Sequence, residues 1–219
     1  THLVLEQPVA LKFLVPEAAL LLEGDQTVAR FLREARSAAR IQSDHVVRVF
    51  DCGKLPGGVP YMAMELLEGN GLAAELRARG ALPVPEAVDL MLEVLEGVAE
   101  AHALGIVHRD LKPANVFLAA RPGRARVVKV LDFGISKLAP GPGSPIEDDL
   151  TGTSIMLGSP RYVSPEQAQS SRDVDARSDI WSLGVVLYEM LDGKCPFGGS
   201  TMGEVLGKIL LYKPEAISG

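Results

Sequence analysis

Residues 9–15 form an apolar run of strand length broken only by Lys12. Val28, Phe31, Ala35 and Ala38 then recur at the three- and four-residue spacing of one helix face. Residues 46–50 and 61–67 are two further strand-like runs, and the glycine- and proline-rich stretch 53–60 between them predicts a turn. The first third of the chain therefore predicts a small sheet with one helix.

The period changes at Pro85, a residue suited to a first helical turn. Val88, Met91, Leu95 and Val98 follow as an apolar stripe, and Gly105 supplies the stop. A long core helix is expected, with His102 on its stripe as a core histidine. Residues 116–118 and 127–131 read as short strands joined by a polar hairpin loop over 119–126. Residues 139–149 hold three prolines, two glycines and three acids, too little apolar surface to order themselves, so a mobile loop is expected. Residues 180–191 are nearly all apolar and predict a buried helix, and 201–211 predict an amphipathic one. No internal repeat is present.

Composition narrows the class. At 219 residues, 47% hydrophobic and 23% charged, the sequence is neither disordered nor collagen-like, and it suits one large domain or two lobes sharing a cleft. A net charge of −6 argues against nucleic acid as a partner. Cys52 and Cys195 stand far apart, without a CxxC or Cys/His cluster, so neither a disulfide framework nor zinc is expected. That usage predicts a reducing, cytoplasmic compartment. No apolar run approaches the ~18 residues of a membrane span, so no membrane segment is expected here, although a longer parent could carry one. The start lacks both a methionine and a charged leader, which predicts a piece of such a parent. His2 and His45 have no partners at ligand spacing.

The densest chemistry is VHRDLKPAN at 107–115, where an acid, a base and an amide fall within six residues just after the core helix. Asp110, Lys112 and Asn115 can point into one cleft as a proton acceptor, a cation and an oxygen ligand. The apolar strand 127–131 then delivers Asp132, a second carboxylate at a strand end. Alone, Asp132 before a glycine suits a turn. Beside Asn115 it suits Mg²⁺, which takes one or two such oxygens plus substrate phosphates.

With HRDLKPAN at 108–115, DFG at 132–134, SPE at 164–166 and DIWSLGVVLYEML at 179–191 in that order, the chain resembles the eukaryotic-type protein kinase family, in its bacterial serine/threonine branch. The resemblance covers residues 9–211. It implies an α+β, two-lobed fold: a partial antiparallel-sheet lobe with one helix over 1–67, and a larger, mainly helical lobe over 68–219, with ATP between them. The activity implied is transfer of the γ-phosphoryl group of Mg-ATP to serine or threonine hydroxyls of proteins, including the chain's own activation loop by self-association. A non-catalytic, pseudokinase-like binding scaffold is the rival reading.

The same resemblance assigns residues. Lys12 holds the α- and β-phosphates and pairs with Glu34; Asp110 accepts or orients the hydroxyl proton; Lys112 stabilises the transferring group; Asn115 and Asp132 hold Mg²⁺. Ala10 and Leu67 should touch the adenine, Glu65 and Leu67 offer hinge backbone groups, and Met64 is the gatekeeper. His108 and Phe133 pack in a hydrophobic spine, and Asp179 caps the backbone of the catalytic loop. Arg109 would bind a phosphate on the activation loop, with Thr151 and Thr153 as candidate acceptors, and Ser159 would bridge Asp110 and Lys112. The family's glycine-rich loop is missing ahead of Lys12, and so are the last helices, one of which would bring an arginine to Glu166. A catalytic domain cut at both ends is therefore expected.

Overall fold

The computed structural model describes residues 8–14, 24–121, 123–133, 160–169 and 174–217. Its first part is an antiparallel sheet of β1 (Val9–Phe13), β2 (Val49–Lys54) and β3 (Pro60–Glu65) in the order β1-β3-β2. Lys12 lies opposite Met62, and Ala10 opposite Met64. Helix α1 (Gly24–Ala38) buries Phe31, Ala35 and Ala38, the row its spacing predicted.

The second strand differs from expectation. Val46 and Val47 do not begin β2; they pair instead with Val130, and the Val47 N–H donates to the Val130 carbonyl at 2.9 Å. β2 starts later and runs through Gly53 and Lys54, so the turn tightens to a bend closed by Leu55 N–H donating to Val59 O at 2.9 Å. The apolar residues at 46 and 47 thus serve the second part of the molecule rather than the first sheet.

That second part opens with β4 (Gly69–Gly71), α2 (Leu72–Arg79) and α3 (Val84–Ala103). β4 pairs with a hairpin of β5 (Val116–Arg121) and β6 (Arg124–Val130), all antiparallel. The expected loop over 119–126 is mostly strand. Two of its arginines make ion pairs, Arg121 with Asp44 at 3.8 Å and Arg126 with Glu86.

Helix α3 has Pro85 in its first turn and ends at Leu104, followed by Gly105 at φ 73°, the stop that was expected. Its packed face differs from the predicted stripe. Met91 and Val98 are buried, but Val88 is 42% exposed and Leu95 37%, and the core side runs through Ala87, Leu90, Met91, Val94, Val98 and Ala101. Apart from one acidic stripe at Glu86, Asp89, Glu93, Glu96 and Glu100, apolar residues spread well beyond the packed face, so period alone does not choose that face; its small residues do. At Gly97 an added Cβ would stand 2.9 Å from the His45 carbonyl oxygen, because the segment joining α1 to β2 presses against the helix there.

Short helix α4 (Pro165–Gln169), long helix α5 (Ala176–Asp192) and α6 (Met202–Leu211) complete the described chain. α5 begins ahead of its apolar run because Asp175 caps it, its side chain accepting from Arg177 N at 2.8 Å. Ile180, at the start of that run, faces outward. α6 is capped by Thr201, whose Oγ1 accepts from Glu204 N at 3.2 Å. One core joins α1, β3, α3, β5, β6 and α5; a smaller one gathers Val185, Phe197, Val205 and Ile209, with Trp181 stacked on Phe197. The α+β, two-part arrangement is the one expected. Among the described residues no helix is long and apolar enough to cross a membrane. The segment 139–149 lies outside the described residues.

Candidate active site

The dense segment following α3 forms a loop that re-enters the molecule between β6 and α5. Its anchor is Asp179, fully buried on α5. The Asp179 carboxylate accepts the backbone N–H of His108 and that of Arg109, each at 2.8 Å, and faces His102 Nε2 at 2.7 Å. The backbone cap expected of Asp179 is therefore present. His102 is a satisfied histidine, as expected, and its partner is that same acid.

His108 is fully buried, and burial pushes its imidazole below its ordinary value despite the carboxylates nearby. The hydrogen bonds fit a neutral ring: Nε2–H donates to the Leu131 carbonyl at 2.8 Å, and Nδ1 accepts from Asp110 N at 3.3 Å. The ring lies 4.7 Å from that of Phe133. The packing arrangement expected for His108 and Phe133 is found.

Asp110 projects from this loop and is nearly buried. Its Oδ2 accepts from Lys112 Nζ at 2.7 Å and from Asn115 Nδ2 at 3.2 Å. Asn115, on a 3-10 turn (Pro113–Asn115), also donates from Nδ2 to the Asp110 carbonyl at 2.8 Å. With both amide protons spent on Asp110, what Asn115 can offer a cation is its oxygen. The three residues predicted to converge do so.

Asp132 stands just past β6 and is tied to the same loop, since Leu131 N donates to Asn115 O at 2.9 Å. Its Oδ1 accepts from Lys12 Nζ at 2.7 Å, so Lys12 reaches across from the first sheet. Glu34 is partly buried on α1 beside Phe31 and Ala35. The Asp132 carboxylate and the Asn115 amide oxygen are the hard donors a magnesium ion takes beside phosphate and water. Among the described residues no group of three or more His, Cys, Asp or Glu side chains is placed to hold a metal ion.

Ala10 and Met64 sit side by side on β1 and β3, both partly buried, with Leu67 just beyond the strand. The Glu65 N–H donates to Arg48 O at 2.9 Å. Arg109 is exposed, with its backbone at φ 66° and its carbonyl accepting from Gln167 Nε2 at 3.0 Å. In the 164–166 segment, Ser164 and Gln167 cap each other's N–H groups at 3.3 and 3.2 Å. Glu166 accepts from Ser178 Oγ at 2.5 Å; burial opposes its ionisation, but that hydrogen bond and others hold its carboxyl below the usual range. Thr151, Thr153 and Ser159, and the DFG glycine Gly134, lie outside the described residues.

Three interactions around the site went unread in the sequence. Lys129 on β6 is buried and pairs with Glu65. His45 is met by two carboxylates, Glu93 Oε2 lying 3.3 Å from Nδ1 and Glu96 Oε2 3.2 Å from Nε2. Tyr162 donates from its hydroxyl to Glu189 Oε2 at 2.6 Å, and burial followed by that bond drives the phenol upward. The one available signal was Lys129 itself, a lysine inside an apolar strand like Lys12.

A family model described as the protein kinase domain matches residues 2–212. The chain belongs to the protein kinase family. Among its relatives, the serine/threonine-protein kinase pkn3 of Myxococcus xanthus is 38% identical over 216 residues, covering 97% of this chain and 38% of the relative. The serine/threonine-protein kinase PknL of Mycobacterium tuberculosis is 39% identical over 198 residues, covering 90% of this chain and 46% of that kinase. For Pkn1 of M. xanthus the identity is 40% over 196 residues, with 90% of this chain and 27% of the relative covered. This kinase chain thus spans less than half the length of each of these curated relatives.

Proposed function

We propose that the chain carries the phosphoryl-transfer site of a serine/threonine protein kinase, moving the γ-phosphoryl group of ATP to a serine or threonine hydroxyl of a protein. The observation that carries this reading is the meeting of Asp110, Lys112 and Asn115 around one carboxylate, hydrogen-bonded through Leu131 to the segment on which Asp132 meets Lys12.

In this reading residues 1–67 and 68–219 are the two lobes. Adenine sits against Ala10 and Leu67, Met64 is the gatekeeper, and backbone groups of Glu65 and Leu67 receive its edge. Lys12, held by Glu34, secures the α- and β-phosphates, exchanging its present hold on Asp132 for them. Asp110 takes the proton of the acceptor hydroxyl as that oxygen bonds to the γ-phosphorus and the bond to the bridging β–γ oxygen breaks, releasing ADP. Lys112, 2.7 Å from Asp110, supplies positive charge to the transferring group. Asn115 and Asp132 hold magnesium, which neutralises phosphate charge when bound. Arg109 receives a phosphate placed on Thr151 or Thr153 by a second copy of the chain, and Ser159 bridges Asp110 and Lys112. A cytoplasmic location and a role in signal transduction accord with this chemistry.

Intact-mass analysis after incubation with Mg-ATP and a generic protein acceptor tests the reading, with Asp110→Asn alongside. Mass steps of one phosphate on chain or acceptor that vanish in the variant are expected, and mapping to Thr151 or Thr153 supports the regulatory part. Equal labelling of both proteins, or none on either, overturns it.

A further inference from the structure

A charged network outside the reacting groups ties the connection between the two sheets to the strand that ends at Asp132. Lys129 lies on β6, three residues before Asp132, with its side chain only 8% exposed. Its Nζ donates to Glu65 Oε1 at 2.7 Å and reaches the Val46 carbonyl at 3.5 Å. The same Glu65 oxygen accepts the Arg48 N–H at 2.7 Å, while the Glu65 N–H returns to Arg48 O at 2.9 Å. Glu65 is therefore held by main chain and side chain together, at the end of β3 and two residues before Leu67.

The segment these groups share is itself fastened to β6. Val130 N donates to His45 O at 2.8 Å, and Val47 N to Val130 O at 2.9 Å. Backbone bonds thus fix the 45–47 segment on β6, and the Lys129–Glu65 pair transmits that fixed position to the end of β3. A buried ammonium is costly without its partner, so the network favours one arrangement of the two strands over nearby ones. Neither Lys129 nor the Glu65 carboxylate is needed for proton transfer or phosphate binding.

We propose that Lys129 is a positioning residue: its ion pair with Glu65 sets the hinge backbone at 65–67 at a fixed distance from Asp132, and so sets nucleotide affinity. The proposal rests on the reading of Leu67 and Asp132 as nucleotide- and metal-facing groups. It assigns the pair a function beyond stability. Span matters here, because adenine and the metal-bound phosphates are opposite ends of one ligand, and a misplacement of an ångström at either end weakens both attachments.

The test compares the unmodified chain with Lys129→Met, Glu65→Gln and the double variant, measuring melting temperature and the equilibrium Kd for ATP with magnesium. Glutamine keeps an oxygen for the Arg48 N–H, and methionine keeps the lysine stem, so the double variant restores a packed, uncharged contact. Both single variants should melt lower and the double variant should recover, while Kd stays raised by roughly ten- to a hundredfold in all three. Where phosphotransfer is measurable, KM for ATP should rise more than kcat falls. A Kd that recovers along with melting temperature in the double variant reduces the pair to a structural contact and overturns the proposal, as does a Kd unchanged by Lys129→Met. If the unmodified chain binds no ATP, the functional reading itself fails and takes the proposal with it.

Discussion

Asp179→Asn is the sharpest perturbation the site offers, because it changes one atom and removes the charge that three donors share. The Asp179 carboxylate accepts two backbone N–H groups at 2.8 Å and lies 2.7 Å from His102 Nε2, with no solvent exposure. An asparagine presents one oxygen to these donors and turns an NH₂ toward the others, so at least one backbone N–H loses its acceptor and another bond loses its charge. Hydrogen bonds to a charged group contribute about 1.5–3 kcal/mol each, and a buried unsatisfied donor costs about 1–3 kcal/mol. The expected loss is therefore about 3–5 kcal/mol, a large share of the ~5–15 kcal/mol by which a domain is stable. For a chain of this size that corresponds to a fall in melting temperature of roughly 6–20 °C. Urea unfolding read by circular dichroism gives the free energy directly, and hydrogen exchange at His108 and Arg109 reports whether those amides have been released. A variant within about 1 kcal/mol of the parent, with both amides still protected, would refute the claim that Asp179 holds the loop.

Two further perturbations test the surroundings. Gly97→Ala places a Cβ 2.9 Å from His45 O and 3.1 Å from Val46 Cγ2, so overpacking should outweigh alanine's helix preference and cost about 1–3 kcal/mol; a melting temperature equal to or above the parent's would show that the connecting segment yields freely. The Glu86 carboxyl is lowered from its ordinary 4.5 to about 2, chiefly by the hydrogen bond from Arg79 and further by Arg126, with burial opposing. A depressed folded-state value means stability that is complete above 4.5 and lost as pH falls through about 2. Melting between pH 5 and 2 should accordingly fall less steeply for Glu86→Gln, and parallel curves would count against the pairing.

What the sequence disclosed and what it hid follow from how far apart the partners are. Asp110, Lys112 and Asn115 are neighbours in the chain, so one tight loop can bring their polar ends together, and their convergence could be anticipated from spacing alone. Asp132 was legible because an apolar strand ends in a carboxylate. The partner of Lys129 was not, since Glu65 is 64 residues away and only the placement of β6 beside the 45–48 segment brings the two together. His45 is a similar case: Glu93 and Glu96 meet it because α3 packs against that segment at Gly97. α3 also shows the limit of periodicity. Where leucine and valine spread well beyond one face, the buried side is chosen by Ala87, Gly97 and Ala101, whose small size lets other elements approach.

Backbone strain in the described residues is concentrated where these long-range contacts converge. Arg109 at φ 66° and Asp132 at φ 58° are the non-glycine residues with positive φ among those described, a conformation that costs about 1–3 kcal/mol per residue. Neither bend stands unsupported. Arg109 is clamped on both sides, its N–H by Asp179 and its carbonyl by Gln167. Asp132 follows Leu131, whose N–H is bound by Asn115 and whose carbonyl is bound by His108, and it precedes Phe133, packed on the His108 ring. His108 and its neighbours thus belong to both clamps. Loosening Asp179 should release the Arg109 bend first and, through the His108 ring, the Asp132 bend as well. The backbone that carries the two carboxylates the sequence marked out, Asp110 and Asp132, is therefore held by one framework around His108 with Asp179 behind it, while Lys112 and Lys12 meet the carboxylates themselves.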